Sequence, residues 1–173
     1  GIAQTGTGKT AAFVLPLLEL MQRHPLQGAR PRTLILAPTR ELALQIEEAV
    51  RSLARHLRLR CATIFGGVGE KPQIDAVRRG VDIVVATPGR LIDLMENRHI
   101  SLDRVTFLVL DEADRMLDMG FLPQIRRIVA RVPRERQTLL FSATLSKDIE
   151  KIAGELLKRP KVVEIGGRAN PAD

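Results

Sequence analysis

Aromatic residues, cysteine and histidine are scarce in this sequence. The 173 residues include no Trp, no Tyr and five Phe, together with one Cys and three His. With so few rings, the chain has no surface that interleaves aromatic and basic side chains to stack nucleic-acid bases. The single cysteine, Cys61, cannot form a disulfide within the chain, and we interpret it as a small apolar packing residue in a reducing compartment. His24, His56 and His99 lack the spacing of metal ligands.

Long hydrophobic runs and a targeting segment are also missing. No apolar stretch approaches the length that crosses a bilayer, which argues against a membrane role. The chain does not open with the basic, apolar and small-residue pattern of a secretory leader. We therefore expect a cytoplasmic protein without membrane contacts.

Positive charge exceeds negative charge. Twenty-seven Lys and Arg against 20 Asp and Glu give a formal net charge of +7, which favours attraction to polyanions such as nucleic acid or nucleotide. A solvated basic surface, or the basic half of a larger and more neutral protein, would give the same balance. Charge alone therefore decides nothing, and any nucleic acid would have to be held mainly through its backbone.

Apolar runs alternate with helical patterns along the chain. The runs cover residues 32–37, 61–65, 81–86, 105–110, 137–143 and 161–165. All but the last are followed by a short loop and a spacing of apolar residues typical of a helix. Strands that are apolar throughout predict an α/β fold, with a mostly parallel sheet covered by helices on both faces. Ligands of such sheets bind at the carboxyl ends of the strands, where the polar motifs of this chain fall.

The opening residues, GIAQTGTGKT, match the spacing of a phosphate-binding loop. Its glycines let backbone N–H groups surround phosphate oxygens, Lys9 can reach the β and γ phosphates, and the Thr10 hydroxyl can ligate Mg²⁺. Ala3 stands where the strict pattern has glycine. A plain Gly- and Thr-rich turn is the alternative, but it gives the lysine no packing role. The predicted nucleotide-binding residues are Ala3, Gln4, Thr5, Gly6, Thr7, Gly8, Lys9 and Thr10.

Two carboxylates, Asp111 and Glu112, directly follow the apolar run FLVL. A carboxylate at the end of a buried strand can hold Mg²⁺, and its neighbour can polarise the attacking water. A helix that merely begins with acidic residues would account for the pair equally well. The presence of Lys9 and Thr10 in the same chain favours the catalytic interpretation.

The motif SAT places two hydroxyls, Ser142 and Thr144, after the fifth apolar run. They could sense a γ-phosphate or the Asp114 side chain. The simpler alternative is helix capping, by Thr144 or by Ser146. By itself the motif is a weak signal.

Three further loops could bind phosphate through helix N-termini, exposed amides and arginines. They are PTRE at 38–41, a glycine pair at 66–67 and TPGR at 87–90. Each alone would be an ordinary turn, but three on a basic chain favour a groove that follows a nucleic-acid backbone. The predicted contact residues are Pro38, Thr39, Arg40, Gly66, Gly67, Thr87, Gly89 and Arg90.

In order along the chain, AQTGTGKT, PTRELA, GG, TPGR, DEAD and SAT closely resemble the motifs of the first RecA-like domain of DEAD-box RNA helicases. The match covers essentially the whole chain, and FLPQIRRI with the tail GGRANPAD looks most like bacterial members of the RhlE type. The resemblance implies a P-loop NTPase domain over residues 1–166 with a truncated first strand, followed by the start of an interdomain linker at 167–173. The family's adenine-binding segment would precede Gly1.

For function, the resemblance implies an ATP-dependent RNA helicase that separates short duplexes with little sequence preference. Lys9 and Thr10 would bind ATP and Mg²⁺, Asp111 would hold Mg²⁺ largely through water, and Glu112 would activate the attacking water. The PTRE, GG and TPGR loops would contact RNA phosphates and 2′-hydroxyls.

The same resemblance implies coupling and a partner domain. Ser142 and Thr144 would couple hydrolysis to strand separation through contacts with the DEAD segment, which ends at Asp114. A second RecA-like domain, not part of this chain, would supply arginine fingers, so the chain alone would be nearly inactive as an ATPase.

Two other functions fit part of the pattern. A module that binds a nucleic-acid backbone without turnover would need only the basic loops. A DNA-directed P-loop ATPase would account for Lys9 and Asp111, but it leaves PTRELA, TPGR and SAT unexplained.

Overall fold

The computed structural model describes residues 7–24 and 28–164. The predicted truncated first strand, the first part of the phosphate loop and the predicted linker lie outside these residues. The helices are α1 (Thr7–Arg23), α2 (Arg40–Leu53), α3 (Lys71–Arg78), α4 (Pro88–Glu96), α5 (Ala113–Asp118), α6 (Leu122–Val129) and α7 (Lys147–Leu156). The strands are β1 (Thr33–Leu36), β2 (Cys61–Ile64), β3 (Ile83–Ala86), β4 (Phe107–Leu110) and β5 (Gln137–Leu140).

The five strands form one parallel sheet in the order β2-β3-β1-β4-β5. Their first residues stand in one row, namely Cys61, Ile83, Thr33, Phe107 and Gln137. All strands therefore start at one edge of the sheet, which we call the amino edge, and end at the opposite carboxyl edge. The predicted α/β fold with a parallel sheet is confirmed.

Helices cover both faces of this sheet. Successive side chains of a strand point to opposite sides, so Leu34 and Leu36 pack in one core cluster while Ile35 packs in the other. The first cluster includes residues of α3 to α7, and the second includes residues of α1 and α2. Burial on both sides explains why the strands read as continuous apolar runs.

The predicted last strand at 161–165 is wrong over its described part. Residues 161–164 contain an isolated bridge at Glu164 and no strand. Val162 and Val163 are 69% and 55% exposed. An apolar run predicts a strand only where a neighbouring layer covers it, and no layer of the described residues covers these two valines.

A buried arginine ties α1 to the start of β1. The Arg32 guanidinium is 6% exposed and donates to the carbonyl oxygens of His24, at 2.6 Å, and Met21, at 3.2 Å. Carbonyls at a helix end lack partners within the helix, so Arg32 caps α1 from outside. Its contacts fix the end of the helix whose first turn carries Lys9.

The single cysteine is partly buried at the start of β2. Burial, reinforced by the nearby Glu47 carboxylate, raises the pKa of the Cys61 thiol to about 12. The thiolate is the reactive form of cysteine, so Cys61 stays protonated and inert at neutral pH. Among the described residues, no helix is long and apolar enough to cross a membrane.

Gly80, between α3 and β3, is a position where a side chain would be costly. Its φ is +91°, and a Cβ there would lie 2.8 Å from the Ala29 Cβ. We expect Gly80→Ala to lower the free energy of unfolding by about 2–4 kcal/mol, which combines backbone strain with crowding. Gly120 has a similar φ of +78° but open space around it, so Gly120→Ala should cost only about 1–2 kcal/mol. Urea unfolding of both variants checks this, and equal losses would contradict the crowding at Ala29.

Candidate nucleotide and nucleic-acid site

A buried ion pair joins the phosphate loop to the end of β4. Lys9 lies in the first turn of α1, and its Nζ is 2.7 Å from Oδ1 of Asp111. The two side chains are 8% and 0% exposed. Lys9 also lies over the ring of Phe141, 5.9 Å from the ring centre. The structure thus brings together the lysine and the aspartate that the sequence predicts for nucleotide and metal binding.

The Asp111 carboxylate has one oxygen in use and one without a partner. Oδ1 also accepts a hydrogen bond from the Glu112 backbone N–H at 2.9 Å. Oδ2 is buried, and no described residue hydrogen-bonds to it. A buried oxygen of this kind calls for an explanation such as an absent water or ion.

These residues fit a hydrated Mg²⁺. Thr10, 9% exposed, lies next to Lys9 in the first turn of α1, and the partnerless oxygen of Asp111 can accept from a metal-bound water. No group of three or more metal-ligating side chains occurs among the described residues. Mg²⁺ is usually held by one or two carboxylates together with waters and substrate phosphates, which this site can provide.

Glu112 has a strained backbone. Its φ of 48° and ψ of 52° place it in the left-handed region immediately before α5. Such conformations cost free energy in residues other than glycine and concentrate at functional sites. The side chain is 15% exposed, and its Oε2 lies 3.5 Å from Nη1 of Arg115. Glu112 occupies the N-cap position of α5, but its side chain makes no capping hydrogen bond.

The SAT segment contacts the DEAD segment. The Thr144 hydroxyl donates to Oδ2 of Asp114 at 3.2 Å. Ser142 is buried, and its hydroxyl donates to the Thr144 carbonyl at 2.8 Å. Ser146 is the residue that caps α7, through the Ile149 backbone N–H. The predicted contact of Thr144 with Asp114 is therefore present, and the Ser142 hydroxyl positions Thr144.

The three candidate RNA loops lie at neighbouring strand ends and contact one another. PTRE follows β1, the glycine pair follows β2 and TPGR follows β3, and these strands are adjacent in the order β2-β3-β1. The Arg40 guanidinium lies 4.9 Å from the ring centre of Phe65. Arg90 donates to the carbonyl of Val68 at 3.0 Å. These contacts make one continuous surface of the three loops.

The individual groups of these loops differ in availability. The Thr39 hydroxyl accepts from the Leu42 backbone N–H and so caps α2, while the Thr87 side chain makes no capping bond. Gly67 has φ +79°, and a Cβ at Gly66, Gly67 or Gly89 would meet nothing within 4 Å. Nη1 of Arg90 is buried, and no group of residues 7–24 and 28–164 accepts a hydrogen bond from it. Pro38 is buried at the end of β1.

The part of the phosphate loop from Ala3 to Gly6 lies outside the described residues, and Thr7 is described only as the first residue of α1. Gly8 lies in the first turn of α1 and is exposed. Of the predicted nucleotide-binding residues, the structure therefore places the end of the loop, with Lys9 and Thr10.

Two residues of the site were missed from the sequence. The side-chain amide of Gln73, in α3, makes two hydrogen bonds with the backbone of Phe65. Its oxygen accepts from the Phe65 N–H at 3.2 Å, and its nitrogen donates to the Phe65 carbonyl at 3.0 Å. These bonds fix the chain just before the glycine pair. Phe141 packs on Phe13, with ring centres 5.1 Å apart, below Lys9. Its place directly before SAT was the available signal, since aromatic residues are rare in this chain.

A parallel sheet with a phosphate-loop lysine and a buried aspartate at its carboxyl edge defines a RecA-like P-loop NTPase domain. The model of the DEAD/DEAH box helicase family matches residues 1–152, and the chain belongs to this family. The resemblance found in the motifs is thereby confirmed.

Named relatives extend over almost the whole chain. It is 54% identical over 168 residues to DEAD-box ATP-dependent RNA helicase 30 of Oryza sativa subsp. japonica, covering 96% of this chain and 25% of that protein. It is 49% identical to DEAD-box ATP-dependent RNA helicase 20 of Arabidopsis thaliana, with 96% and 34% covered. The crystal structure of the yeast DEAD-box splicing factor Prp28 matches with a TM-score of 0.87 at 40% identity, covering 96% of this chain and 42% of that one.

The chain spans about a quarter to a third of the length of these two plant relatives. What the whole protein does is therefore a matter for proposal. The finer placement with bacterial members of the RhlE type stays a prediction.

Proposed function

We propose that this chain is the first RecA-like domain of an ATP-dependent RNA helicase, whose ATP hydrolysis is stimulated by RNA and coupled to local duplex separation. The observation that carries the proposal is the buried contact of Lys9 with Asp111, beside Glu112, at the same sheet edge as three connected phosphate-binding loops. The two plant relatives, both named as ATP-dependent RNA helicases, support it.

Lys9 and Asp111 prepare the nucleotide site. Triphosphate oxygens compete with Asp111 for the Lys9 ammonium, so nucleotide binding exchanges the ion pair for lysine–phosphate contacts. Asp111 would then offer Oδ2 to the waters of Mg²⁺, while Oδ1 keeps the Glu112 backbone N–H, and Thr10 would offer a hydroxyl ligand. When bound, Mg²⁺ would neutralise charge that develops on the phosphates.

Glu112 takes the proton of the attacking water. Its carboxylate is partly exposed and stands directly after the metal-binding aspartate. With its left-handed backbone, Glu112 makes no side-chain capping hydrogen bond, and its carboxylate lies 3.5 Å from the Arg115 guanidinium. Water activation is the role of a positioned carboxylate in such sites.

A short chain of bonds links this site to the SAT segment. The Ala113 backbone N–H donates to the Phe141 carbonyl at 2.9 Å, and the Thr144 hydroxyl donates to Asp114. A displacement of the DEAD segment after hydrolysis therefore moves Thr144. We propose that Ser142, Thr144 and Asp114 couple the two events.

RNA is held by the loops after β1, β2 and β3. Three adjacent strands place these loops across about 10 Å. Backbone amides at helix N-termini, the open glycines and the arginines can contact phosphates and 2′-hydroxyls without reading bases. A second RecA-like domain of the same polypeptide completes the site, and the 173-residue chain alone should be nearly inactive because an arginine finger is worth about 10³–10⁵ in turnover.

The test is a comparison of RNA and DNA in the full-length protein. Labelled single strands of the same sequence are titrated over a salt series, and ATP hydrolysis is measured with each. We expect tighter binding of RNA and stimulation by RNA. Equal affinities with a steep salt slope and no stimulation would indicate a backbone-binding module. Stimulation by DNA as strong as by RNA would instead favour a DNA-directed ATPase.

A further inference from the structure

Many of the arginines lie away from the predicted RNA path, which itself contains Arg40 and Arg90 in the first turns of α2 and α4. The described connections that lead from a strand to a helix contain no Lys or Arg and three carboxylates, those of Glu70, Asp111 and Glu112. The described connections that lead from a helix to a strand carry eleven arginines and three carboxylates. The arginines are Arg30, Arg32, Arg55, Arg58, Arg60, Arg79, Arg98, Arg104, Arg131, Arg134 and Arg136. In a parallel sheet, all helix-to-strand connections lie at the amino edge.

Neighbouring connections touch one another along this edge. The Arg60 backbone N–H donates to Oδ2 of Asp82 at 2.8 Å, and the Arg60 guanidinium donates to the Arg79 carbonyl. Arg30 pairs with Asp103 across the starts of β1 and β4. The arginines therefore form one surface, which we call the arginine edge. Five strand starts at a spacing of about 4.8 Å extend it over about 19 Å, the rise of about six nucleotides.

Most of these arginines have no carboxylate partner. All but Arg32 and Arg136 are exposed. Of the nine exposed side chains, only that of Arg30 forms an ion pair with a carboxylate within the described part of the chain. Adjacent strand starts are about 4.8 Å apart, which is less than the Debye length of about 10 Å at 0.1 M salt, so positive charges on adjacent connections are not fully screened from one another.

Helix dipoles explain only part of the pattern. Arg55, Arg79, Arg98 and Arg131 lie within two residues of a helix end, where a cation is favourable. Arg58, Arg104 and Arg134 each lie three residues before a strand, and their side chains form no hydrogen bond or ion pair with the described residues. These three exposed guanidinium groups are available to an external polyanion, and guanidinium groups suit phosphate because they can donate two parallel hydrogen bonds.

We propose that the arginine edge is a second surface for an RNA backbone, on the side of the sheet opposite to the PTRE, GG and TPGR loops. The described helix-to-strand connections contain three His but no Phe, Tyr or Trp, so we expect binding mainly through phosphates and with little dependence on sequence. RNA that extends beyond the carboxyl edge is thereby held while the site acts on a neighbouring stretch. The choice of RNA among polyanions rests on the proposed function.

The test removes two positive charges from the arginine edge of the full-length protein. Arg58→Gln with Arg104→Gln is compared with Lys147→Gln with Lys151→Gln, which removes two exposed charges from the first half of α7, away from the arginine edge. Binding of a 40-nucleotide and an 8-nucleotide RNA is measured over a salt series. The longer strand can reach both edges of the domain, whose radius of gyration is about 16 Å, and the shorter one occupies a single edge.

For the 40-nucleotide RNA, we expect the arginine pair to reduce the slope of log affinity against log salt by about 1.4 and to weaken binding about tenfold near 0.1 M salt. The lysine pair should change neither quantity. Hydrolysis of ATP at saturating 8-nucleotide RNA should be unchanged in both.

Two results would overturn the arginine edge as an RNA surface. The first is that the arginine double variant and the lysine double variant change the affinity and the salt slope equally. The second is that the arginine double variant binds the 40-nucleotide RNA as the wild type does. The second result would leave an acidic protein as the better ligand class. Either result leaves the proposed function intact if the wild-type protein still shows RNA-stimulated hydrolysis. If RNA does not stimulate hydrolysis by the wild type, the proposed function fails. The salt slopes of the two double variants still show whether the arginine edge binds RNA.

Discussion

Glu112→Gln in the full-length protein should lower the turnover of ATP by about 10²–10⁴, the usual contribution of a general base, while ATP and RNA binding stay unchanged. Glutamine has the shape of glutamate but cannot accept the proton of the attacking water. Phosphate release at saturating RNA measures the turnover, and equilibrium titrations measure the two affinities. Retained RNA-stimulated hydrolysis would refute the role of Glu112.

The backbone strain at this position offers a matched control. A left-handed conformation costs about 1–2 kcal/mol in a residue other than glycine, and Glu112 has φ 48°. We therefore expect Glu112→Gly to lose turnover as Glu112→Gln does but to raise the free energy of unfolding by about 1 kcal/mol. If Glu112→Gly had the same free energy of unfolding as Glu112→Gln and the wild type, the left-handed backbone at Glu112 would not destabilise the protein.

Lys9→Ala should both weaken nucleotide binding and destabilise the protein. The substitution leaves the Asp111 carboxylate, which is 0% exposed, as an unpaired buried charge. Loss of one partner of a buried ion pair typically costs about 3–5 kcal/mol. Loss of a charge-assisted hydrogen bond to phosphate should weaken ATP binding by at least about tenfold. Urea unfolding without nucleotide and an ATP titration measure the two effects separately.

A double variant separates the contribution of the Lys9–Asp111 ion pair to stability from the contribution of Lys9 to ATP binding. Lys9→Met with Asp111→Asn removes both charges and nearly keeps the volume, and such replacements of buried pairs are often neutral. We expect stability within about 2 kcal/mol of the wild type, with ATP binding still lost. A double variant as unstable as Lys9→Ala would show that the unpaired carboxylate is not the cause of the destabilisation.

Much of the fold could be predicted from the sequence because its signals are local. Strands buried on both faces read as apolar runs, and five of the six runs became strands. The sixth failed at Val162 and Val163, since apolar character does not reveal whether another layer covers a segment. The order β2-β3-β1-β4-β5 also could not be predicted, because strand pairing depends on contacts between distant residues.

Some residues of the candidate site could be predicted from the sequence and others could not, for the same reason. Its motifs stand next to strand ends in the sequence, so Asp111, Glu112 and the three loops were identifiable one by one. Gln73 and Arg32 were not, because their partners are backbone groups eight or more residues away. No spacing rule connects a side chain to a distant carbonyl before the chain is folded.

By itself, the sequence determined the class of fold, the phosphate-loop lysine, the acidic pair after β4 and the family, because each depends on residues that are neighbours in the chain. Only the tertiary structure decided that Lys9 pairs with Asp111 and that Thr144 contacts Asp114. It also placed eleven arginines, whose charge had supported the PTRE and TPGR loops in the sequence, at the opposite edge of the sheet, while Arg40 and Arg90 stand at those loops. The physical reason is that a parallel sheet gathers every helix-to-strand connection at one edge, so arginines scattered along the chain meet there.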